Sequence, residues 1–377
     1  MRFALFYHSL VSDWNHGNAH FLRGVVRELQ RLGHAVRVFE PEDGWSRRNL
    51  VADQGPEALA RFAAAFPGLR SELYRLDDLD LDAALDGADA VLVHEWNDPA
   101  LVARIGAHRR RGGRYLLLFH DTHHRAVSAP AEIEAFRLDA YDGVLAFGEV
   151  LREAYLRRGW ARRAWTWHEA ADTALFRPPA GARPEQDLVW IGNWGDEERT
   201  AELREFLLEP VRRLGLDARV HGVRYPEAAV RDLRAAGIDY AGWLPNDLVP
   251  AAFARYRMTV HVPRRPYVQA LPGIPTIRVF EALACGIPLV SAPWHDCEGL
   301  FRPGEDFLIA RDGEEMERCL AALLRDPELA ESLRQRGLET IASRHSCRHR
   351  VEELLRICGE LRGEGGAAAP DEMAVGG

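Results

Sequence analysis

Residues 273–293 read GIPTIRVFEALACGIPLVSAP, and this stretch decides the fold. Pro275 and Thr276 open a helix, because proline tolerates a first helical turn and threonine can cap one. Ile277, Phe280, Leu283 and Ala284 recur at helical spacing and predict one buried stripe. Gly286 stops the helix, and 287–291 reads as a short buried strand. The helix start leaves backbone N–H groups without intrahelical partners, a natural seat for a diphosphate. Glu281, one turn further in, is expected to edge a cleft rather than the core, where its carboxylate could accept both hydroxyls of a ribose. The pairing suggests a nucleotide-sugar site; the alternative is an ordinary α/β helix with a surface glutamate.

Outward from this unit the chain alternates strand and helix. In the first half, strands are expected at 2–7, 35–39, 90–94, 115–120 and 143–147, with a helix at 21–32 and an acidic helical stretch running to about residue 86. In the second half, strands are expected at 187–191, 218–221 and 258–262, with a helix at 199–214 and two closing helical patterns at 312–324 and 345–362. This alternation predicts parallel sheets with helices on both faces. The 377 residues suit two domains. The expected division is 1–171, an aperiodic linker at 172–186 (DTALFRPPAGARPEQ), 187–344, a last helix at 345–362 that packs back on the first domain, and a disordered tail at 363–377. Two doubly wound domains bind ligands at the carboxyl ends of their strands, in the cleft between them.

Composition excludes several chemistries. There is no lysine, so all 48 basic residues are arginine. A Schiff-base lysine and a Walker A lysine are therefore ruled out, and any phosphate must meet arginine or histidine. The net charge of −9 disfavours non-specific binding to nucleic acid or anionic membrane. The five cysteines lack any CxxC pair and fit free thiols in a reducing, cytoplasmic compartment. The short apolar run before His8 reads as a first strand, not a signal peptide, and no run approaches a membrane span.

Several loops follow predicted strands. Gly17, in the first strand-to-helix loop, lets backbone approach a ligand, or is a plain loop glycine; the GxGxxG of NAD enzymes is absent from this turn. LLLFHDTHH (116–124) ends its strand in His120, placed to act as general base, to orient an acceptor, to hydrogen-bond a donor phosphate, or to serve only structurally. Asp121, His123 and His124 follow; the three histidines lack the spacing expected of a metal site. His94 and Glu95 form a weaker candidate of the same kind. WIGNWGDEERTAEL (190–203) places Gly192 in a tight turn and Arg199 at a helix start, as a phosphate clamp or a solvated arginine. Arg264 and Arg265 follow another strand end and could reach the same phosphates. The run 108–114, HRRRGGR, suits a helix C-terminus and reads as structural, with a membrane-surface contact as the alternative.

Taken in order, HGNAHFLRGVVRELQRLGHAVRVFEP, LLLFHDTHH, EAADTALFRP, DLVWIGNWGDEER, YAGWLPNDLVPAAF and GIPTIRVFEALACGIPLVSAPW resemble the group 1 GT-B glycosyltransferases, the large family typified by glycogen and sucrose synthases and mannosyltransferases. Within it the chain is similar to the CgeB-like (spore maturation protein) group. The resemblance spans residues 1 to about 345. It implies a GT-B fold, two Rossmann-like domains facing each other across a cleft. It also implies transfer of a sugar, a hexose above all, from a nucleoside-diphosphate sugar to a hydroxyl acceptor: a glycan, a lipid-linked group or a small molecule. Glu281 would bind the donor's ribose, and the amides of Thr276, Ile277 and Arg278 its diphosphate. Arg199, with Gly192, Arg264 and Arg265, would serve the phosphates. Trp243 and Leu244 would meet the base. His120 and Asp121 would match the family's acceptor-side His-Asp pair, and His16, Gly17 and Asn18 its acceptor-side or phosphate loop. No cofactor and no metal are expected, because protein donors and helix dipoles stabilise the leaving diphosphate. A nucleotide-sugar epimerase or hydrolase, or a non-catalytic nucleotide- or sugar-binding protein, are the competing readings. One position departs from the family: Gly273 stands where a first glutamate often lies, eight residues before the ribose-binding one.

Overall fold

The structure, a computed structural model, describes residues 1–363, the side chain of Asp196 excepted. Apart from Gly363, the tail expected to be disordered lies outside the described residues. Seven strands form the first sheet: β1 (Arg2–Phe6), β2 (Ala35–Pro41), β3 (Glu72–Tyr74), β4 (Ala90–His94), β5 (Leu116–Asp121), β6 (Gly143–Ala146) and β7 (Ala164–Thr166). They lie side by side as β3-β2-β1-β4-β5-β6-β7, all parallel. Six more form the second: β8 (Gln186–Ile191), β9 (Ala218–His221), β10 (Ile238–Tyr240), β11 (Tyr256–His261), β12 (Leu289–Ser291) and β13 (Leu308–Ile309), in the order β10-β9-β8-β11-β12-β13. Both are Rossmann-like: each sheet grows one way from its first strand, then reverses. The reversals, at β1/β4 and β8/β11, open crevices at the strands' carboxyl ends.

The central strands are apolar throughout because helices cover both faces. On β4, Ala90 and Leu92 pack into the core under the helix Ala19–Arg31, and Val91 and Val93 into the core on the opposite face. The last helix, Cys347–Arg362, lies on the first domain against Ala19–Arg31. Gly24 sits at that crossing, where a Cβ would come within 2.3 Å of Cys347 Sγ, so only glycine allows the approach. The two chain crossings run side by side: Ala171 N donates to His345 O and Cys347 N to Ala171 O, both at 2.9 Å.

Some elements differ from expectation. The stretch read as helical to residue 86 holds the helices Trp45–Gln54, Glu57–Ala65 and Leu81–Leu85 with β3 among them. β3, β7, β10 and β13 are two or three residues long, too short to show a period. The helix expected at 199–214 runs as Thr200–Leu203, a π-helical turn Arg204–Leu208, and Glu209–Leu214. Pro210 accounts for the break: it has no N–H to give the preceding turn.

Candidate functional site

A cavity of about 560 Å³ lies between the carboxyl ends of the two sheets. On the second sheet's side, the start of the helix Ile277–Cys285 faces it, with Thr276, Ile277 and Arg278 on its wall. Thr276 is the N-cap residue, yet its hydroxyl makes no capping bond. It lies 3.0 Å from His261 Nε2 instead. Ser291 Oγ donates to Ala292 O, so it accepts from His261 Nδ1–H at 2.9 Å; His261 Nε2 is then the acceptor for Thr276. Burial and the nearby Arg199 lower His261 to about 3, which keeps it neutral. The relay leaves the first-turn amides uncapped by any side chain and turned to the cavity, a site suited to an anion.

Four arginines, Arg199, Arg224, Arg264 and Arg278, line the same side. Burial pushes Arg199 down to about 9, so it is still charged at neutral pH. It donates to Val262 O at 3.0 Å and its guanidinium lies 5.1 Å from the centre of the Trp190 ring, which fixes it between β8 and β11. Arg264 pairs with Glu198 at 3.2 Å. Gly192, Trp243 and Leu244 line this side too.

The first sheet's side carries His8, His16, Gly17, Asn18, Trp45, Trp96, Thr122, His123 and His124. Burial lowers His8 to about 4 and His16 well below its ordinary value, with further repulsion from neighbouring imidazoles. His123 is lowered likewise, by burial, His124 and Arg125. Apart from Asp13, whose carboxylate is paired with Arg23, this side is therefore neutral imidazole, carboxamide and indole, against a cationic side opposite. Gly17 faces the second domain closely: a Cβ there would lie 3.3 Å from Ile277 Cγ2. Asp13 ties the two domains at one rim, accepting from Arg23 Nη1 (2.9 Å), Trp243 Nε1 (3.0 Å) and Asn246 N (3.1 Å). Arg61 pairs with Asp247, and Asn193 Nδ2 donates to Asn15 Oδ1. Among the described residues two non-glycines hold left-handed backbone, Asn15 (φ 48°) and Arg224 (φ 60°), and they line the cavity from opposite sides. Strain of that kind collects where a structure holds a ligand.

Of the fifteen residues to which the resemblance gives a role, eleven thus meet at one cavity, as do His123 and His124: His16, Gly17, Asn18, Gly192, Arg199, Trp243, Leu244, Arg264, Thr276, Ile277 and Arg278. Four lie elsewhere. His120 does not face the cleft; β5 runs one residue further, so its ring turns onto the sheet face among Phe21, His94 and Trp167. Asp121 turns to the other face, accepting from Tyr155 OH at 2.8 Å. Glu281 is wholly buried, not at the cleft edge, because its helix is packed on every side. It accepts from His20 Nδ1 at 3.0 Å and is capped by Arg278. Asp172 N donates to His20 Nε2, which fixes the proton on Nδ1. Burial alone would raise the Glu281 carboxyl, but Arg278 and His20 hold it below the usual carboxylate range. Arg265 points away, to Glu202 at 2.7 Å. Gly273 has φ 86°, and a Cβ there would lie 2.6 Å from Glu298 Cγ, so a glutamate has no room at this position. His8, Trp45, Trp96 and Asn193 line the cavity without having been singled out; strand-end position was the only signal for them. Among the described residues no group of three or more His, Cys, Asp or Glu side chains is arranged to hold a metal.

Residues 199–356 match the family model described as glycosyl transferase-like. No curated protein matches the chain in sequence. Among solved structures the chain is similar to sucrose-phosphate synthase from Thermosynechococcus elongatus, at 17% identity and a TM-score of 0.67 over 97% of this chain and 100% of that one. It is also similar to Anabaena Alr3699/HepE in complex with UDP and glucose, at 13% identity and a TM-score of 0.64 over 95% and 99%. T4 phage BGT in complex with UDP and Mn2+ aligns at 11% identity and a TM-score of 0.62 over 96% and 99%. The chain has the GT-B glycosyltransferase fold, and its stretch 199–356 carries the glycosyl transferase-like pattern.

Proposed function

We propose that this protein is a glycosyltransferase that moves a hexose from a nucleoside-diphosphate sugar to a hydroxyl. The observation that carries this reading is the uncapped start of the helix Ile277–Cys285, facing a cavity that four arginines line. Its amides and Arg278, Arg264, Arg224 and Arg199 would take the diphosphate, with Trp243 and Leu244 toward the base. The bond from the sugar's anomeric carbon to the diphosphate oxygen breaks, and the diphosphate keeps the electron pair. A bond to the acceptor oxygen forms, and the hydroxyl proton leaves. His16 is the group we assign to that proton: it is neutral, lines the cavity, and its Nε2 has no partner. The arginines stabilise the charge growing on the leaving group, so no metal is required. We place the protein in the CgeB-like group and in the cytosol; its five cysteines are all unpaired, and no helix among the described residues is long and apolar enough to cross a membrane.

A thermal-shift panel of UDP, GDP, ADP, CDP and dTDP, with and without EDTA, tests the reading. One or two should stabilise the fold, by roughly 2.7 kcal/mol at about 100 times Kd. EDTA should leave the shift in place; loss on chelation and recovery with Mn2+ would overturn the metal-free site. Turnover of a nucleotide-sugar with no acceptor present, as fast as with one, would make the protein a hydrolase.

A further inference from the structure

We propose that the first-domain side of the cleft is a binding site for a neutral saccharide, with Trp96 and Trp45 as its stacking platforms. This rests on the glycosyltransferase reading and names the class of its second substrate. Large apolar side chains are mostly buried in this fold, yet Trp96 is 40% exposed and Trp45 39%, and both line the cavity. Their placement follows from strand order. Trp45 follows β2, His8 follows β1, Trp96 follows β4 and His123 follows β5, and these four strands are consecutive in the sheet. At about 4.8 Å per strand the row runs roughly 14 Å along the cleft, longer than one sugar ring. From His8 to His123 the rings are in contact: Trp96 lies 6.1 Å from His8 and 4.9 Å from His123, centre to centre, while Trp45 at the far end packs on Trp14 at 5.3 Å.

The chemistry of this row fits a polyol. An indole face carries negative charge density and attracts the C–H groups on one side of a sugar ring. Arg125, 4.4 Å from the centre of the Trp96 ring, holds that ring in place and is itself fixed by donating to Glu95 O at 2.8 Å. Hydroxyls need acceptors and donors between the rings. His16 Nε2 and His123 Nδ1 are buried without partners, and His16 lies within the row's span, 5.2 Å from His8. Their imidazoles are neutral, so they exchange hydrogen bonds with hydroxyls at no cost in unpaired charge. An anionic acceptor has no cation to meet on this side: among the described residues no first-domain arginine lines the cavity.

The test measures binding of neutral saccharides (lactose, maltotriose, cellotriose, chitotriose), an anionic one (digalacturonate) and an aromatic alcohol (4-nitrobenzyl alcohol). Calorimetry and saturation-transfer NMR are run on the full chain, free and saturated with the nucleoside diphosphate that stabilises it best. At least one neutral saccharide should bind. Trp96→Ala should weaken it tenfold or more, Trp96→Phe threefold or less, and neither should change nucleotide affinity. Trp45→Ala repeats the test from the other end of the row. The proposal is overturned if no neutral saccharide binds, if the anionic or aromatic probe binds in their place, or if both alanine variants bind the saccharide as the wild type does. Saccharide binding without any nucleotide binding would sink the glycosyltransferase reading and leave this site standing; nucleotide binding alone would do the reverse.

Discussion

Glu281 shows how far one residue's surroundings decide its role. Its carboxylate receives His20 and Arg278 in a fully buried setting, so it joins the two domains. Removing one member of a buried charged set leaves the others unpaired, at a cost of about 3–5 kcal/mol. Glu281→Ala should therefore lose stability by that amount in urea unfolding, with Glu281→Gln losing less because it keeps an acceptor for His20. A loss below about 1 kcal/mol would show that the contact does not stabilise the fold. Because this carboxyl is held below its usual range, its contribution is present above the ordinary glutamate value and disappears as pH falls through the folded one. Asp121 runs the other way. Burial and Glu95 push it up to about 7, so the fold keeps a proton that the unfolded chain gives up. Stability from this group falls as pH rises from about 4 to about 7, by roughly 4 kcal/mol at most, and levels off beyond. Asp121→Asn, in which Tyr155 OH can turn to accept, should be relatively more stable at pH 8 than at pH 5; equal pH profiles for mutant and wild type would refute the assignment.

At the scale of one element, the helix Ile277–Cys285 permits a clean test of its amides. Ile277 is the first helical residue, where proline is tolerated, and Thr276, at φ −80° and ψ 160°, already has the backbone that a following proline demands. Ile277→Pro should keep the helix and remove one N–H from the cavity. A hydrogen bond to a charged group contributes about 1.5–3 kcal/mol, so nucleoside diphosphate affinity should drop about 10- to 100-fold. Ile277→Ala controls for the lost side chain, and equal affinities for the two variants would mean that this amide does not meet the diphosphate. The helix start and the stop at Gly286 were legible because proline, threonine and glycine punctuate the chain there. The arginine side of the cavity was legible for a similar reason: Gly192, Arg199 and Arg264 each follow a recognisable strand. The opposite side was legible only in part, at His16, Gly17, Asn18 and the histidines after β5. His8, Trp45 and Trp96 become neighbours only through the order β2-β1-β4, which local sequence does not encode. His120 was misplaced by a single residue of strand length, enough to send a side chain from the cleft to a sheet face.

At the scale of the whole molecule, the two sheets do not amount to two independent folding units. One apolar core runs from Phe3 and Leu5 of the first sheet through Val351, Leu354 and Ile357 of the last helix to Phe280 and Leu289 of the second domain. That last helix follows the second domain in sequence yet covers the first, so the first domain depends on chain contributed from beyond the second. Unfolding should accordingly be one transition, with fluorescence and circular dichroism coinciding. The sharper test is to end the chain at Arg344. Val351, Leu354 and Ile357 are almost wholly buried, and fully burying a side chain of this type contributes about 1.5–3 kcal/mol. Losing the three removes roughly 5–9 kcal/mol, on the scale of the entire stability of an ordinary domain, about 5–15 kcal/mol. It also bares Phe21 and Cys347's partner at Gly24, and strips Trp167 Nε1 of its acceptor, Arg350 O, at 2.8 Å. The truncated chain should unfold or aggregate at 25 °C, and the first domain's amides should lose their hydrogen-exchange protection before those of the second. If the 344-residue chain keeps a protected first domain, the last helix is an appendage and the two sheets are separable after all.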